Sequence, residues 1–416
     1  MTLKHILFTF TVLTFNTLFS QVKEVNPPDY IKTITFKGDT PESQLPVLKK
    51  GEFLVLEFDA LNGNEDDYYY KIEHYNYDWT PSVLARAEFM EGFDNQRIRN
   101  YENSFNTYQI YSHYKLTIPN QRTRGLKISG NYMIKVFNEY DELVFSRKFM
   151  IYEDLANVGV SIKRSRDVKD IDGKQSVDIT INSNNLRFNN PTQTVKTLIV
   201  QNNNLNTAIS GLKPQYTLGN ELIYKYTKET SFWAGNEYFF FENKDIRAAN
   251  TGIQYIELGN LYNNFLFANI IRKDRPYTYN PDINGNFVIT AIDVENTDIE
   301  ADYAWIHFAL LTNKELKGKN VYVYGNFNNY ATDESNLMHY NDKEGMYEAS
   351  ILLKQGFYNY KYVTIDNNGT LEEGSIGGNF YQTENNYKVL VYYRDLGARY
   401  DRLIGIGEAN SVNISN

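Results

Sequence analysis

Apolar and polar residues alternate with a period of two along most of this chain, and turn residues separate the runs. That pattern constrains the fold more than any other feature, because successive side chains of a strand point to opposite faces of a sheet. Residues 31–37 form one such run, followed by Gly38-Asp39. Residues 52–59 form a second, followed by Leu61-Asn-Gly-Asn64, and residues 68–76 a third. Residues 111–118 follow and are stopped by Pro119-Asn120. Residues 130–137 and 143–152 read as a hairpin across Asn138 to Glu142. The 35 Tyr and 25 Phe suit pleated, half-buried strands. No amphipathic helix longer than about three turns interrupts the series.

The expected fold class is all-β, built of tandem immunoglobulin-like and early-set β-sandwich domains. The first sandwich is expected over residues 21–152. The second, over 153–285, takes in the runs at 158–164, 176–181, 195–201, 222–226, 238–241 and 254–258, with Asp172-Gly173 as a hairpin signal. The linker-like Arg272-Lys-Asp-Arg-Pro276 and the Tyr/Asn/Pro stretch after it close that unit. The third, an early-set sandwich resembling glycogen-binding modules, is expected over 286–395. Residues 396–416 show no clear period and read as a tail.

Residues 1–20 read as a secretory signal: a short charged start, an apolar stretch from Ile6 to Phe19, and the small Ser20 before a cut that makes Gln21 the new N-terminus. There is no Cys, so neither disulfides nor an acylated cysteine is available, and the cores must hold by burial. The net charge of −9 is dispersed, which argues against a nucleic-acid partner. Direct insertion into lipid is not expected either.

Catalytic and metal chemistry find little support in the spacing. His74, His113, His307 and His339 are scattered, with no pair at ligand spacing, so the expected metal and cofactor sets are both empty. Asp170-Ile-Asp172-Gly173 lacks the downstream Glu of a calcium loop. Gly374-Ser-Ile-Gly377 lacks the strand–turn–helix context of a nucleophile elbow, and Gly405-Ile-Gly407 does not open a helix after a strand. Paired carboxylates cannot be read from one sequence.

Two aromatic constellations carry more information. The first is His74-Tyr-Asn-Tyr-Asp-Trp-Thr-Pro-Ser82, with Glu91-Gly-Phe93 and Tyr101-Glu-Asn-Ser-Phe-Asn-Thr107. Trp79 reads either as a sandwich-core anchor or as part of a loop-borne recognition patch. In the second reading the partner-binding anchors are Tyr77, Trp79, Phe93 and Arg97, since aromatics and Arg dominate interface hot spots. The other constellation is Val321-Tyr-Val-Tyr-Gly-Asn-Phe-Asn-Asn-Tyr330, with Gly345-Met-Tyr347 and the strand from Leu353 to Val363. It is similar to glycogen- and starch-binding modules, and an exposed Tyr330 would be the residue to stack on a sugar.

Together with Ser129-Gly-Asn-Tyr132, these segments resemble the plug protein family of the type IX secretion system of Bacteroidota over essentially the whole chain after the leader. The resemblance implies a non-enzymatic periplasmic subunit with no catalytic residues. It implies a monomer within a hetero-complex that seals the periplasmic opening of a giant outer-membrane translocon barrel of the SprA/Sov type. The rival expectation is a glycan-binding accessory of an envelope polysaccharide-uptake system, which would use Tyr330. A hydrolase would need a catalytic domain for which the short strands leave little room.

Overall fold

The computed structural model of the protein describes residues 22–38, 44–412 and 414. The signal sequence and its cut after Ser20 lie outside the described residues. The chain is almost entirely β. Among the described residues the helical segments are single turns, and no helix is long and apolar enough to cross a membrane.

The first unit is a two-layer sandwich. One sheet orders Ile31–Lys37, Leu54–Ala60, Ser112–Ile118 and Asn100–Asn103. The other orders Val47–Lys49, Leu143–Tyr152, Gly130–Phe137, Tyr69–Tyr75 and Gln96–Arg97. Alternation explains the core: Leu54, Leu56 and Phe58 point inward, as do Tyr114, Leu116 and Ile118 of the paired strand. They meet Tyr132, Phe145 and Phe149 of the second sheet. Edge-on rings fill the middle, with Phe58 5.2 Å from Phe145 and 5.3 Å from Tyr68. The opposite face of the first sheet carries Glu57, Asp59 and His113, and these too are buried, because the third unit covers them.

The second unit has one sheet of Asn157–Arg164, Lys174–Asn182, Glu221–Tyr224 and Tyr216–Leu218, with Ser231–Trp233 paired to Lys174–Asn182. Its other sheet orders Asn204–Ser210, Val195–Gln201, Asn386–Tyr393 and Arg402–Asn410. Here the structure departs from the sequence reading. Residues 386–393 were expected in the third unit, yet they pair with Val195–Gln201 and send Tyr387, Val389 and Val391 into the second core. Much of the expected tail is the strand Arg402–Asn410, paired with Asn386–Tyr393. The physical reason lies in Gly405 and Gly407. A Cβ on either would meet the backbone oxygen of Ala156 at 2.6 Å or of Val158 at 2.5 Å. These glycines let the last strand approach the first strand of the unit, and they weaken its apparent periodicity.

The third unit takes strands that were assigned to the second. Phe239–Glu242, Ile253–Leu258 and Tyr262–Leu266 join a sheet that also orders Gly356–Asp366, Lys319–Tyr324, Leu337–Asn341, Met346–Lys354 and Tyr303–Leu311. Side chains from both ends of that order, Phe241 and Ile253, share one core with Ile306, Phe308 and Tyr358, so the sheet curls over a single interior. Residues 272–285 are therefore a crossing within this unit and not a linker that closes the second.

Candidate partner-binding surface and the inter-unit junctions

The first aromatic constellation forms a tight turn after Tyr69–Tyr75. Asn76 and Thr80 close it through a 2.9 Å backbone hydrogen bond, and Trp79 takes a φ of 62°. A bulky residue in the left-handed region holds there only when its surroundings fix it. The surroundings are the second unit: Trp79 is 6 % exposed and packs with Tyr75, Met133 and Met150 on one side and Leu198, Leu390, Tyr392 and Leu403 on the other. The Lys148 ammonium lies 4.4 Å from its ring centre. Tyr77 is half-buried beside it, and its backbone N–H donates to Asp401 Oδ2 at 3.1 Å. The Tyr392 hydroxyl donates to Asn131 Oδ1 at 2.6 Å, while the amide of Asn131 donates to the carbonyls of Asn76 and Tyr77. Trp79 thus belongs neither to a sandwich core nor to an outer recognition patch. It fastens the first unit to the second.

Glu91-Gly-Phe93 behaves differently. Gly92 has a φ of 116°, and a Cβ there would run into the backbone oxygen of Arg122, so only glycine lets the two segments meet. Phe93 follows, 59 % exposed, and Arg97 is exposed on its edge strand in an ion pair with Asp67. Of the four expected anchors, Phe93 and Arg97 are exposed, Tyr77 is half-buried and Trp79 is enclosed.

The segment 101–107 and the residues after it fasten the first unit to the third. The Asp302 carboxylate accepts the backbone N–H groups of Tyr108 at 2.6 Å and Gln109 at 3.1 Å. The Tyr111 hydroxyl donates to the Ala301 carbonyl at 2.8 Å. Phe105, Tyr108 and Ile110 remain exposed on this clamped loop, with Tyr108 edge-on to Tyr262.

Tyr330 corrects the glycan reading. It is 4 % exposed, clustered with Tyr322, Tyr324 and Val363, and its hydroxyl donates to the Asn202 carbonyl at 2.9 Å. Its ring faces the chain's own second unit, so no sugar can stack on it. The second constellation is the fastening between the second and third units, where Asn204 also donates to the Tyr324 hydroxyl at 3.0 Å.

The three units therefore close on one another in a ring. A cleft of about 1050 Å³ lies where they meet, lined by Val47, Leu48 and Tyr152, by Tyr387, Lys388 and Glu408, and by Asp282 and Asn284. At its wall, Glu237 and Asp282 form a carboxyl pair that sequence alone could not reveal. Burial raises Glu237 to about 7 and Asp282 to about 6, so a proton on Glu237 donates to Asp282. Glu237 Oε1 is already held by the Tyr277 hydroxyl and the Glu384 N–H. Glu237 is thereby buried, while Asp282 is half-buried and borders the cleft.

One outer surface escaped the sequence reading. On Tyr303–Leu311 the residues Ala304, Ile306, Phe308 and Leu310 face the core, yet the other face carries Trp305 and His307. Tyr255, Phe265 and His307 sit side by side on neighbouring strands, with ring centres 4.4 and 4.1 Å apart and nearly parallel planes. Tyr255 is 44 % and Trp305 39 % exposed. Tyr255 lies on Ile253–Leu258, the last strand in the order of its sheet. Burial lowers His307 below the ordinary imidazole value, which favours the neutral ring that bridges Asn263 at 2.9 Å and Ser350 at 2.8 Å. The detectable signal was a strand apolar on both faces.

Buried ring closure and exposed aromatics on its outer faces define a class: an all-β protein of interlocked units. A family model described as "Type 9 secretion system plug protein 1st domain" matches residues 31–153, ending beside the last strand of the first sandwich. The crystal structure of a hypothetical protein from Parabacteroides merdae is 35 % identical, with a TM-score of 0.89, over 94 % of this chain and 100 % of that one. A trypsin-activated alpha-2-macroglobulin from Escherichia coli reaches 9 % identity and a TM-score of 0.18 over 94 % of this chain and 29 % of its own, which supports no argument. No curated protein matches. The chain belongs to the type 9 secretion system plug protein family. Membership ties it to that secretion system, to the cell envelope and to an outer-membrane component.

Proposed function

We propose that this protein is a non-enzymatic periplasmic plug, bound to the periplasmic mouth of the large outer-membrane translocation barrel and sealing it when no substrate is in transit. The observation that carries the reading is the closure of three β units into a ring through buried fastenings. A stopper for a wide aqueous pore must resist deformation, and each fastening removes a hinge. It must also leave when substrate arrives, which favours contacts made by a limited set of exposed side chains over a broad apolar face. Phe93 and Arg97 on the first unit, and Tyr255 and Trp305 on the third, supply such contacts. Deleting the gene should make the outer membrane more permeable to large solutes while secretion is idle, and a wild-type copy should reverse this. Unchanged permeability would refute the plug.

A further inference from the structure

We propose that Glu57, His113 and Asp298 form a binding site for a zinc-like divalent ion that bridges the first and third units. Glu57 and His113 lie on Leu54–Ala60 and Ser112–Ile118, on the sheet face that points away from the sandwich core. Asp298 comes from the short turn Thr297–Glu300 of the third unit, where Asn296 caps its backbone N–H at 3.0 Å. One ligand atom from each residue lies within 4.8 Å of the others. Sequence spacing hides this set, because 241 residues separate Glu57 from Asp298 and only strand pairing and unit packing unite them.

The decisive feature is the orientation of His113. Its Nδ1 lies 2.6 Å from Asp59 Oδ1. The other oxygen of the same carboxylate takes the Lys354 ammonium at 2.7 Å and the Tyr303 hydroxyl at 2.6 Å. Asp59 is thus an acceptor, and Nδ1 of His113 carries the proton. In the neutral ring Nε2 is then a bare lone pair. It is buried, has no hydrogen-bond partner, and faces Asp298 Oδ2 at 3.8 Å. A lone pair opposite a carboxylate oxygen calls for a cation between them. A carboxylate holding the far nitrogen of a ligating histidine is the usual outer support of such an ion. Ligand atoms in a tetrahedral zinc site with bonds of ~2.0–2.1 Å stand ~3.3 Å apart, so His113 Nε2 and Asp298 Oδ2, now 3.8 Å apart, close by about 0.5 Å and the set as a whole by up to ~1.5 Å. One imidazole with two carboxylates favours zinc over calcium or magnesium.

A competitor already occupies part of this space. The Lys115 ammonium pairs with Glu57 and lies 3.9 Å from Asp298 Oδ2, while Lys37 holds the other Glu57 oxygen at 3.1 Å. Thr35 donates to that same oxygen at 3.0 Å. Lys115 is partly exposed and can swing into solvent, so the ion binds by displacing it. This makes a prediction that a purely structural ion-pair network does not share: removing the lysine should tighten binding.

The test is calorimetric titration of the untagged, chelator-treated protein with zinc chloride at pH 7. One equivalent should bind. His113→Gln, whose amide can still donate to Asp59, should weaken binding at least tenfold, and Asp298→Asn should also weaken it. Lys115→Gln should strengthen it several-fold. The inference is overturned if the wild type takes up no zinc, if binding survives His113→Gln, or if Lys115→Gln weakens it.

Discussion

Replacing Trp79 by alanine separates the two roles its sequence allows. The ring is enclosed between the first and second units and lies under the Lys148 ammonium. An aromatic side chain buries roughly 150–250 Å². At ~25 cal/mol per Å² the transfer free energy is then about 4–6 kcal/mol, and measured truncations of buried Trp cost ~3–5 kcal/mol. Loss of the cation–π contact adds ~0.5–1 kcal/mol. The cost falls on a junction, so urea unfolding followed by circular dichroism should lose stability by about that sum and should separate the first unit's transition from the rest. Trp79→Gly should cost no more than Trp79→Ala, because glycine relieves the left-handed backbone that alanine retains. Phe93→Ala is the counterpart: an exposed ring should leave unfolding within ~0.5 kcal/mol of wild type, while capture of the barrel partner weakens. An unfolding curve unchanged by Trp79→Ala, together with lost capture, would refute the junction argument.

Three further substitutions test the interior. Lys354 is 1 % exposed and Asp59 fully buried, with 2.7 Å between Nζ and Oδ2, so Lys354→Met should cost ~3–5 kcal/mol by leaving a buried carboxylate short of its cation. Adding Asp59→Asn should recover much of that in urea unfolding, and simple addition of the two losses would contradict the pairing. Glu237 has its carboxyl raised from 4.5 to about 7, so the unfolded chain releases this proton first and stability falls as pH rises from 4.5 through 7. At ~1.4 kcal/mol per unit the loss is about 3 kcal/mol. Glu237→Gln, with an amide that donates to Asp282 at any pH, should gain that amount on wild type between pH 4.5 and pH 8, and a constant gap between the two would count against it.

Much of the fold was legible because a strand advertises its two faces. Residues 54–60 show it: leucine, leucine and phenylalanine on one side, valine, glutamate and aspartate on the other. What alternation cannot tell is whether the polar face meets water or another part of the chain. Asp59 meets Tyr303 and Lys354, 244 and 295 residues away. The same limit misplaced the last strand, where Gly405 and Gly407 replace the side chains that would have announced it, and it assigned 239–266 to the wrong neighbour. It also misread the most specific motifs. Aromatic-rich turns look like recognition loops when read alone, since exposure of Tyr and Trp in a turn is the ordinary sign of a binding site.

In this protein the motifs sit where units join. The turn around Trp79 fastens the first unit to the second, residues 101–111 fasten the first to the third, and the segment ending at Tyr330 fastens the second to the third. Side chains that are specific and aromatic, yet enclosed by their own chain, are spent on relative orientation. A single fastening between two units leaves them free to rock about it, whereas three units joined pairwise form a triangle, which cannot shear without breaking a side. Substitutions in these motifs should therefore disturb function through geometry, and those at Phe93, Arg97, Tyr255 and Trp305 through contact. The two groups differ in one measurable respect: only the first should lower stability in the absence of any partner.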